Sequence, residues 1–462
     1  MRLLSLLLLL VKAQEVVALA GSSGTGNLGG GLHLQERDAV RGLETRCLST
    51  IGTSWSLMRP LSKQQSVQLR RRLQDAMVPV GFPSTLPPEY LQYTILNIMQ
   101  DSCSYLRGIM SMGAILRGLG VGDATQTPAA ATLLWILRDG AGMIGSLVLT
   151  SFKSTQFGTN AKRWRLFADF INNLGLTLEL LAPTFSNKGV FLALLSLASV
   201  FKALCGVAAG ATNAVFLDHW GAIHGNTADV AAKASAQHTA LSLICLSFSV
   251  PFIRFTGSLS LLQTWILYGS LTTLHMVLNI KAMRLLALRS INPTRLQLLV
   301  ARFLQGAGVD GLSTAAIAKA EPLFFFSSAS AASTRGGVSY WGTLDTLLKL
   351  ECTPNIMAKC LELYEASCGY FFVPTEAGGL VVCMRQHCTA EDQAKAVLES
   401  QMVSRYVKEN SASVSMLSML ELLRDKHAEA KRRFPLFWAQ LRDLGWDTVR
   451  IQLRPPNAVT IC

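Results

Sequence analysis

The feature that most constrains this chain is a series of long apolar runs between residues 90 and 280. The last of them, residues 257–280, holds 24 residues without one Asp, Glu, Lys or Arg. A helix rises 1.5 Å per residue, so about 20 mainly apolar residues cross the hydrocarbon of a bilayer. Runs 257–280 and 189–217 meet that length, while 239–252 is short unless 231–238 joins it. The others, 91–120, 129–152 and 166–185, are helical in period but carry charges. Charged residues make up only 15% of the chain and apolar residues 50%, against about a quarter charged in ordinary soluble domains.

The charges between the runs alternate. Arg70, Arg71 and Arg72 precede the first run; Lys153, Lys162, Arg163 and Arg165 separate the second from the third; Lys281, Arg284, Arg289 and Arg295 follow the last. The intervening joints hold only Asp123, Lys188 and Arg254. This is the positive-inside pattern of about six spans, with both ends of the bundle on one side. A soluble all-helical domain with large buried helices is the alternative.

Polar groups inside apolar runs need partners. Arg165 and Asp169 lie four residues apart on one helical face, and Asn172, Asn173 and Glu179 continue it. Asn226, Asp229, Lys233 and Gln237 step by three, four and four along a second stripe. Ionisable groups at membrane depth are costly and face a cavity or each other. Arg138, Asp139, Arg165, Asp169, Glu179, Lys202, Asn226, Asp229, Lys233 and Gln237 are therefore candidates for a polar interior site. The competing reading is structural ion pairing alone.

No catalytic constellation is recognisable. Gly140, Gly142 and Gly145 have dinucleotide-loop spacing but interrupt an apolar helix, which points to helix packing, as does Gly206-x-x-x-Gly210. His219 and His224 read as loop histidines, and Trp164 as an interfacial anchor. The net charge is +13, but no basic, aromatic-interleaved face marks a nucleic-acid partner. The ten cysteines are scattered and read as reduced thiols, without metal-ligand spacing. The expectation is a non-enzyme with no cofactor and no metal.

The fold class expected is mainly α: a polytopic bundle of about six long apolar helices followed by a small α+β domain. Residues 1–83 form a targeting region, a secretory signal or transit peptide, expected to be poorly ordered. Residues 84–326 form the bundle and 327–340 a Ser/Ala/Gly linker. Residues 341–462 form the α+β domain, with strands near 369–373, 379–384 and 448–453 and helices near 390–407 and 414–442.

Several strings stand together in order: Arg138-Asp-Gly-Ala-Gly, Asn160-Ala-Lys-Arg-Trp-Arg-Leu-Phe-Ala-Asp, Glu179-x-x-Ala-Pro183, Gly210-Ala-Thr-Asn, and Asn226-x-x-Ala-Asp-Val-x-Ala-Lys233-x-x-x-Gln237. In these the chain resembles the root UVB-sensitive family, also described as the vitamin B6 photoprotection and homeostasis family. The resemblance implies a link to vitamin B6 homeostasis and UV-B or light-stress signalling, and partnering with another family member. Taken with the apolar runs, it gives a protein of a plastid or secretory-pathway membrane, partnered by the lipid bilayer, with a transport or scaffolding role. A soluble helical adaptor acting through protein–protein contacts is the alternative.

Overall fold

A computed structural model describes residues 35–37, 44–46, 76–119, 128–153, 157–222, 225–324, 338–339, 354–374, 380–410, 416–449 and 451. The chain is mainly helical with a small sheet. The expected disorder of residues 1–83 and the linker 327–340 fall almost wholly outside the described residues.

The chain forms two compact units. One comprises Met1–Val80 and Ala232–Ile244; in it the short strands β1 (Gln35–Arg37) and β2 (Glu44–Arg46) pair antiparallel, and Gln237 Nε2 donates to the Met77 carbonyl at 2.6 Å. The other, Gly81–Ala231 with Cys245–Cys462, carries the remaining elements.

Six helices make the first half: α1 (Tyr90–Gly118), α2 (Pro128–Lys153), α3 (Ala161–Leu181), α4 (Lys188–Gly221), α5 (Thr227–Gly257) and α6 (Leu261–Leu285). Their starts are set by local chemistry. The Asn187 side chain accepts from the Gly189 and Val190 amides at 2.8 and 3.3 Å, and Ser260 forms a reciprocal capping box with Gln263. The start of α1, the start of α3, and the ends of α4 and α6 meet in one apolar cluster of Tyr90, Tyr93, Ala161, Phe216, Trp220 and Met283. At the opposite end Ile115 and Leu119 pack on Ala182, Phe191 and Leu195. The helices thus alternate in direction, and the basic residues Lys162, Arg163, Arg284 and Arg295 gather at the first end.

Glycine marks the close approaches. A Cβ on Gly142 would lie 2.7 Å from Ser199 Oγ, and one on Gly145 would lie 2.8 Å from Val200 Cγ1, so α2 and α4 touch through these two residues. Gly140, Gly206 and Gly210 face open space. The Gly206-x-x-x-Gly210 motif therefore makes no close contact among the described residues.

Among the described residues only α4 and α5 are both long and apolar enough to cross a membrane. The uncharged run 257–280, expected to be the cleanest span, is not one of them. Its helix α6 carries Gln263, Thr264, Thr272, Thr273, His275 and Asn279, which dilute its hydropathy without adding charge. Residues 231–238 do join 239–252, giving the continuous α5.

After α6 come α7 (Pro293–Leu304), α8 (Val309–Leu312) and α9 (Thr314–Ala320), with Asn292 and Ser313 as caps and Pro293 opening α7. The carboxy-terminal part contains β3 (Val338–Ser339), α10 (Pro354–Leu363), β4 (Tyr370–Pro374), β5 (Leu380–Met384), α11 (Ala390–Asn410) and α12 (Met416–Asp443). Strand order is β3-β5-β4, with β4 antiparallel to β5 in the register Phe372↔Val382. All residues of β4 and β5 are buried, because helices cover both faces. Thr448 and Val449 lie in no strand, and most of the expected strand 448–453 falls outside the described residues. Trp446 Nε1 donates to the Leu312 carbonyl at 2.9 Å, and a shared core of Leu296, Leu299, Leu398, Phe437 and Leu441 joins α7 to α11 and α12.

Candidate functional site

Three helices turn polar stripes toward one another inside the bundle. On α1 the stripe is Gln100, Ser104, Arg107 and Ser111; on α3 it is Arg165, Asp169, Asn173 and Thr177; on α6 it is Tyr268, Thr272, His275 and Asn279. Each set steps by three or four, so each occupies one helical face. Arg107, His275 and Asn279 are at most 1% exposed.

The stripes meet in layers. Nearest the basic end, Arg165 Nε lies 3.2 Å from Asp169 Oδ2, Asn279 donates to the same oxygen, and His275 Nε2 lies 3.7 Å from Asp169 Oδ1. His275 Nδ1 faces the Gln100 carbonyl at 3.1 Å and Ser104 Oγ at 3.2 Å. In the middle layer Arg107 donates to Asn173 Oδ1, to Ser104 Oγ at 3.0 Å, to the Cys103 carbonyl at 3.3 Å and to Thr272 Oγ1 at 3.4 Å. Toward the other end Tyr268 OH donates to the Asn173 carbonyl at 3.2 Å and meets Thr177 Oγ1 at 2.9 Å. There Glu179 takes Arg138 at 3.1 Å, Lys202 at 3.1 Å and a hydrogen bond from Ser111.

Two buried acceptors in this interior, Gln100 Oε1 and Asn279 Oδ1, have no hydrogen-bond donor among the described residues. Such atoms are satisfied by water or a solute.

A second charged cluster closes the basic end. Glu321 Oε2 lies 2.9 Å from Lys162 Nζ, and Glu321 Oε1 lies 3.0 Å from Arg295 Nη2. Burial pushes the Glu321 carboxyl up, but Arg295 and Lys162 outweigh it and hold it down at about 2. Asn292 Nδ2 adds a bond to the Thr159 carbonyl at 2.7 Å.

Of the expected site residues, Arg138, Arg165, Asp169, Glu179 and Lys202 come together in the interior. Asp139 does not: it is exposed, because the helical turn that points Arg138 inward points its neighbour out. The second stripe is divided between the two units. Asn226 and Asp229 belong to one, joined by a weak 3.4 Å contact, and Lys233 and Gln237 to the other. All four are half-buried. Trp164, expected at an interface, is buried edge-on between Phe157 and Phe167. His219, expected in a loop, is buried 3.5 Å from Glu89. The sequence reading missed Gln100, Ser104, Ser111, Thr272, His275 and Asn279, and gave Arg107 no role. Their i, i+4, i+7 spacing was the available signal.

The carboxy-terminal part buries its own charge. Glu399 accepts from Tyr364 and, at 2.8 Å, from Tyr370; His427 Nδ1 lies 2.9 Å away. Burial, with the Glu399 carboxylate beside them, pushes both phenols well above their ordinary value. A cleft of about 420 Å³ opens beside His427, but its charges already pair: Lys431 with Glu365 at 2.9 Å, and Lys395 with Glu391 and Asp392 at 3.6 Å.

A family model, the vitamin B6 photo-protection and homoeostasis domain, matches residues 63–307, and the root UVB sensitive protein C-terminal model matches residues 312–457. The chain is similar to protein root UVB sensitive 3 of Arabidopsis thaliana, 33% identical over 60% of this chain and 62% of the relative. It is similar to RUS family member 1 of Dictyostelium discoideum, 37% identical over 51% of this chain and 44% of the relative. Protein root UVB sensitive 5 of Arabidopsis thaliana is 24% identical over 84% of this chain and 76% of the relative. The alignment thus spans less than two thirds of the first two relatives. No solved structure matches the chain. With one model covering the bundle and the other the remainder, the chain belongs to the root UVB sensitive family.

Proposed function

We propose that this chain is a non-enzymatic integral membrane protein whose six-helix bundle encloses a polar interior serving a solute. The observation that carries this reading is the inverted distribution of polarity. Charged and amide groups fill the inside, while Ile136, Met143, Ile144, Leu147, Leu262 and Ile266 stand outward, all at least 59% exposed. Water penalises such a surface and lipid does not. Helices α1, α3 and α6 fall short of the apolarity of α4 and α5 because their inner faces carry the polar stripes. The family name links the role to vitamin B6 homeostasis and UV-B response, with a further family member as partner. A chloroplastic relative, protein root UVB sensitive 2 of Arabidopsis thaliana, 30% identical over 49% of this chain, supports a plastid membrane.

A soluble helical adaptor is the second reading, favoured by there being only two fully apolar helices. Alkaline carbonate extraction separates the two, since recovery in the soluble fraction ends the membrane reading. Orientation has its own check. Cysteines placed at Ser186 and Gln305 should label from opposite sides of sealed vesicles, and labelling from one side would end the alternating spans.

A further inference from the structure

We propose that Arg107 binds a small anion, of the carboxylate or phosphate class, inside the bundle; this rests on the reading of the interior as a solute site. Arg107 is 0% exposed. Its acceptors, Asn173, Ser104, Thr272 and the Cys103 carbonyl, are all neutral. No carboxylate lies within 4 Å of it among the described residues. Every other cation of the interior has one: Arg138 and Lys202 share Glu179, and Arg165 holds Asp169. Counting Asp101 as well, four cations face three carboxylates, and Arg107 is the excess charge.

A buried charge without a counterion is expensive, and a neutral side chain of similar length could bond Asn173 and fill the same space. A guanidinium kept there is accounted for by a negative partner that neutralises it when bound. Its planar fork matches carboxylate and phosphate oxygens in pairs. The surrounding groups suit the same guest. Ser104 and Thr272 hydroxyls accept from Arg107 in the resting state and can each donate to an anion by rotation. The orphaned Gln100 and Asn279 oxygens mark an interior that is incomplete by itself. A cationic guest is disfavoured, because Glu179 and Asp169 are already saturated.

The test uses the full-length chain purified in detergent, unfolded thermally in sodium phosphate, sodium acetate and sodium chloride at equal ionic strength. Wild type should gain about 2–4 °C in phosphate or acetate over chloride. A shift in one salt alone assigns the phosphate or the carboxylate class. Arg107→Gln should abolish the gain while unfolding in chloride at or above the wild-type temperature, since it removes an uncompensated charge. Arg107→Lys, which keeps the charge without the fork, should retain only part of it. No gain in wild type overturns the proposal. So does an Arg107→Gln protein that unfolds earlier yet responds to the salts as wild type does, for Arg107 is then only a strut. If Arg107→Gln does not accumulate, Arg107→Lys decides: a full wild-type response overturns the role of the guanidinium fork. Carbonate extraction of the same proteins keeps the two readings apart. Absence of the anion effect in a chain retained by membranes sinks the anion site alone.

Discussion

The six-helix bundle and the carboxy-terminal part are built on opposite rules. The second hides apolar β4 and β5 under helices, shows polar side chains to water, and admits one buried carboxylate, Glu399, which three donors surround. The first hides Asp169, Glu179, Arg107 and Arg138 and exposes leucine, isoleucine and methionine. One chain thus places the same residue types in opposite positions. The difference teaches that solvent sets the pattern: burial of apolar groups drives the one, while satisfaction of buried polar groups holds the other.

The sharpest way to break this comparison is to remove one charge from each kind of core. Glu179→Ala strands Arg138 and Lys202 and should destabilise the bundle by about 3–5 kcal/mol. Combined replacement of Glu179, Arg138 and Lys202 by Leu, Met and Met should recover most of that. Phe437→Ala in the apolar core should cost a similar 3–5 kcal/mol, roughly, by leaving a cavity, and no charge change elsewhere should rescue it. Denaturation in detergent measures all of these. A triple variant as unstable as Glu179→Ala would show that the ion cluster is not a closed electrostatic unit.

The outward faces give the next test. Leu147 is 69% exposed on α2. Under lipid, Leu147→Arg should cost about 2.5–3.5 kcal/mol of insertion free energy and lower membrane retention. In water the same change falls within about 0.5 kcal/mol, as surface substitutions do. Unchanged retention and stability would put the bundle under the same rule as the carboxy-terminal part.

Much of this architecture is legible in the sequence. Runs of helical period place all six helices within a few residues, except that α5 absorbs a stretch left open. Ser313 and Glu321-Pro322 bound α9 as capping chemistry requires. Counting charges found Arg138, Asp169, Glu179 and Lys202, because a lone charge in an apolar run stands out. The same counting misread α6, whose stripe of Tyr268, Thr272, His275 and Asn279 carries no formal charge and so passed for a clean span. Lys162, Arg295 and Glu321 left no local trace of their association, since 133 to 159 residues separate the partners and only the folded chain joins them.

That cluster sits where the two regions meet, and its response to pH sharpens the contrast. Glu321 has its carboxyl depressed in the folded state to about 2 from an ordinary value of 4.5. A depressed acid stabilises the fold above its unfolded value, and the contribution is lost as pH falls through its folded value. Glu321 should therefore contribute about 3 kcal/mol at neutral pH, shed between about pH 4.5 and pH 2. Glu321→Gln should unfold more easily at pH 7 and lose that part of the acid dependence. If the wild-type and variant curves stay parallel below pH 4.5, the carboxylate is not held by Arg295 and Lys162.

The smallest expected effect separates the two faces of α2. Gly142 lies against Ser199, where a new Cβ would stand 2.7 Å from Oγ and 3.2 Å from the carbonyl oxygen. The backbone cannot yield as a flexible side chain would, so Gly142→Ala should cost about 1–3 kcal/mol as α2 is pushed from α4. Gly140, two residues earlier, has nothing within 4 Å of its would-be Cβ. There alanine adds only helix propensity, and Gly140→Ala should be neutral or stabilising by up to about 1 kcal/mol. Thermal unfolding of the two variants side by side reads the difference. Equal effects would mean that α2 does not meet α4 through Gly142, and the close packing that leaves one face of α2 to the outside would be lost with it.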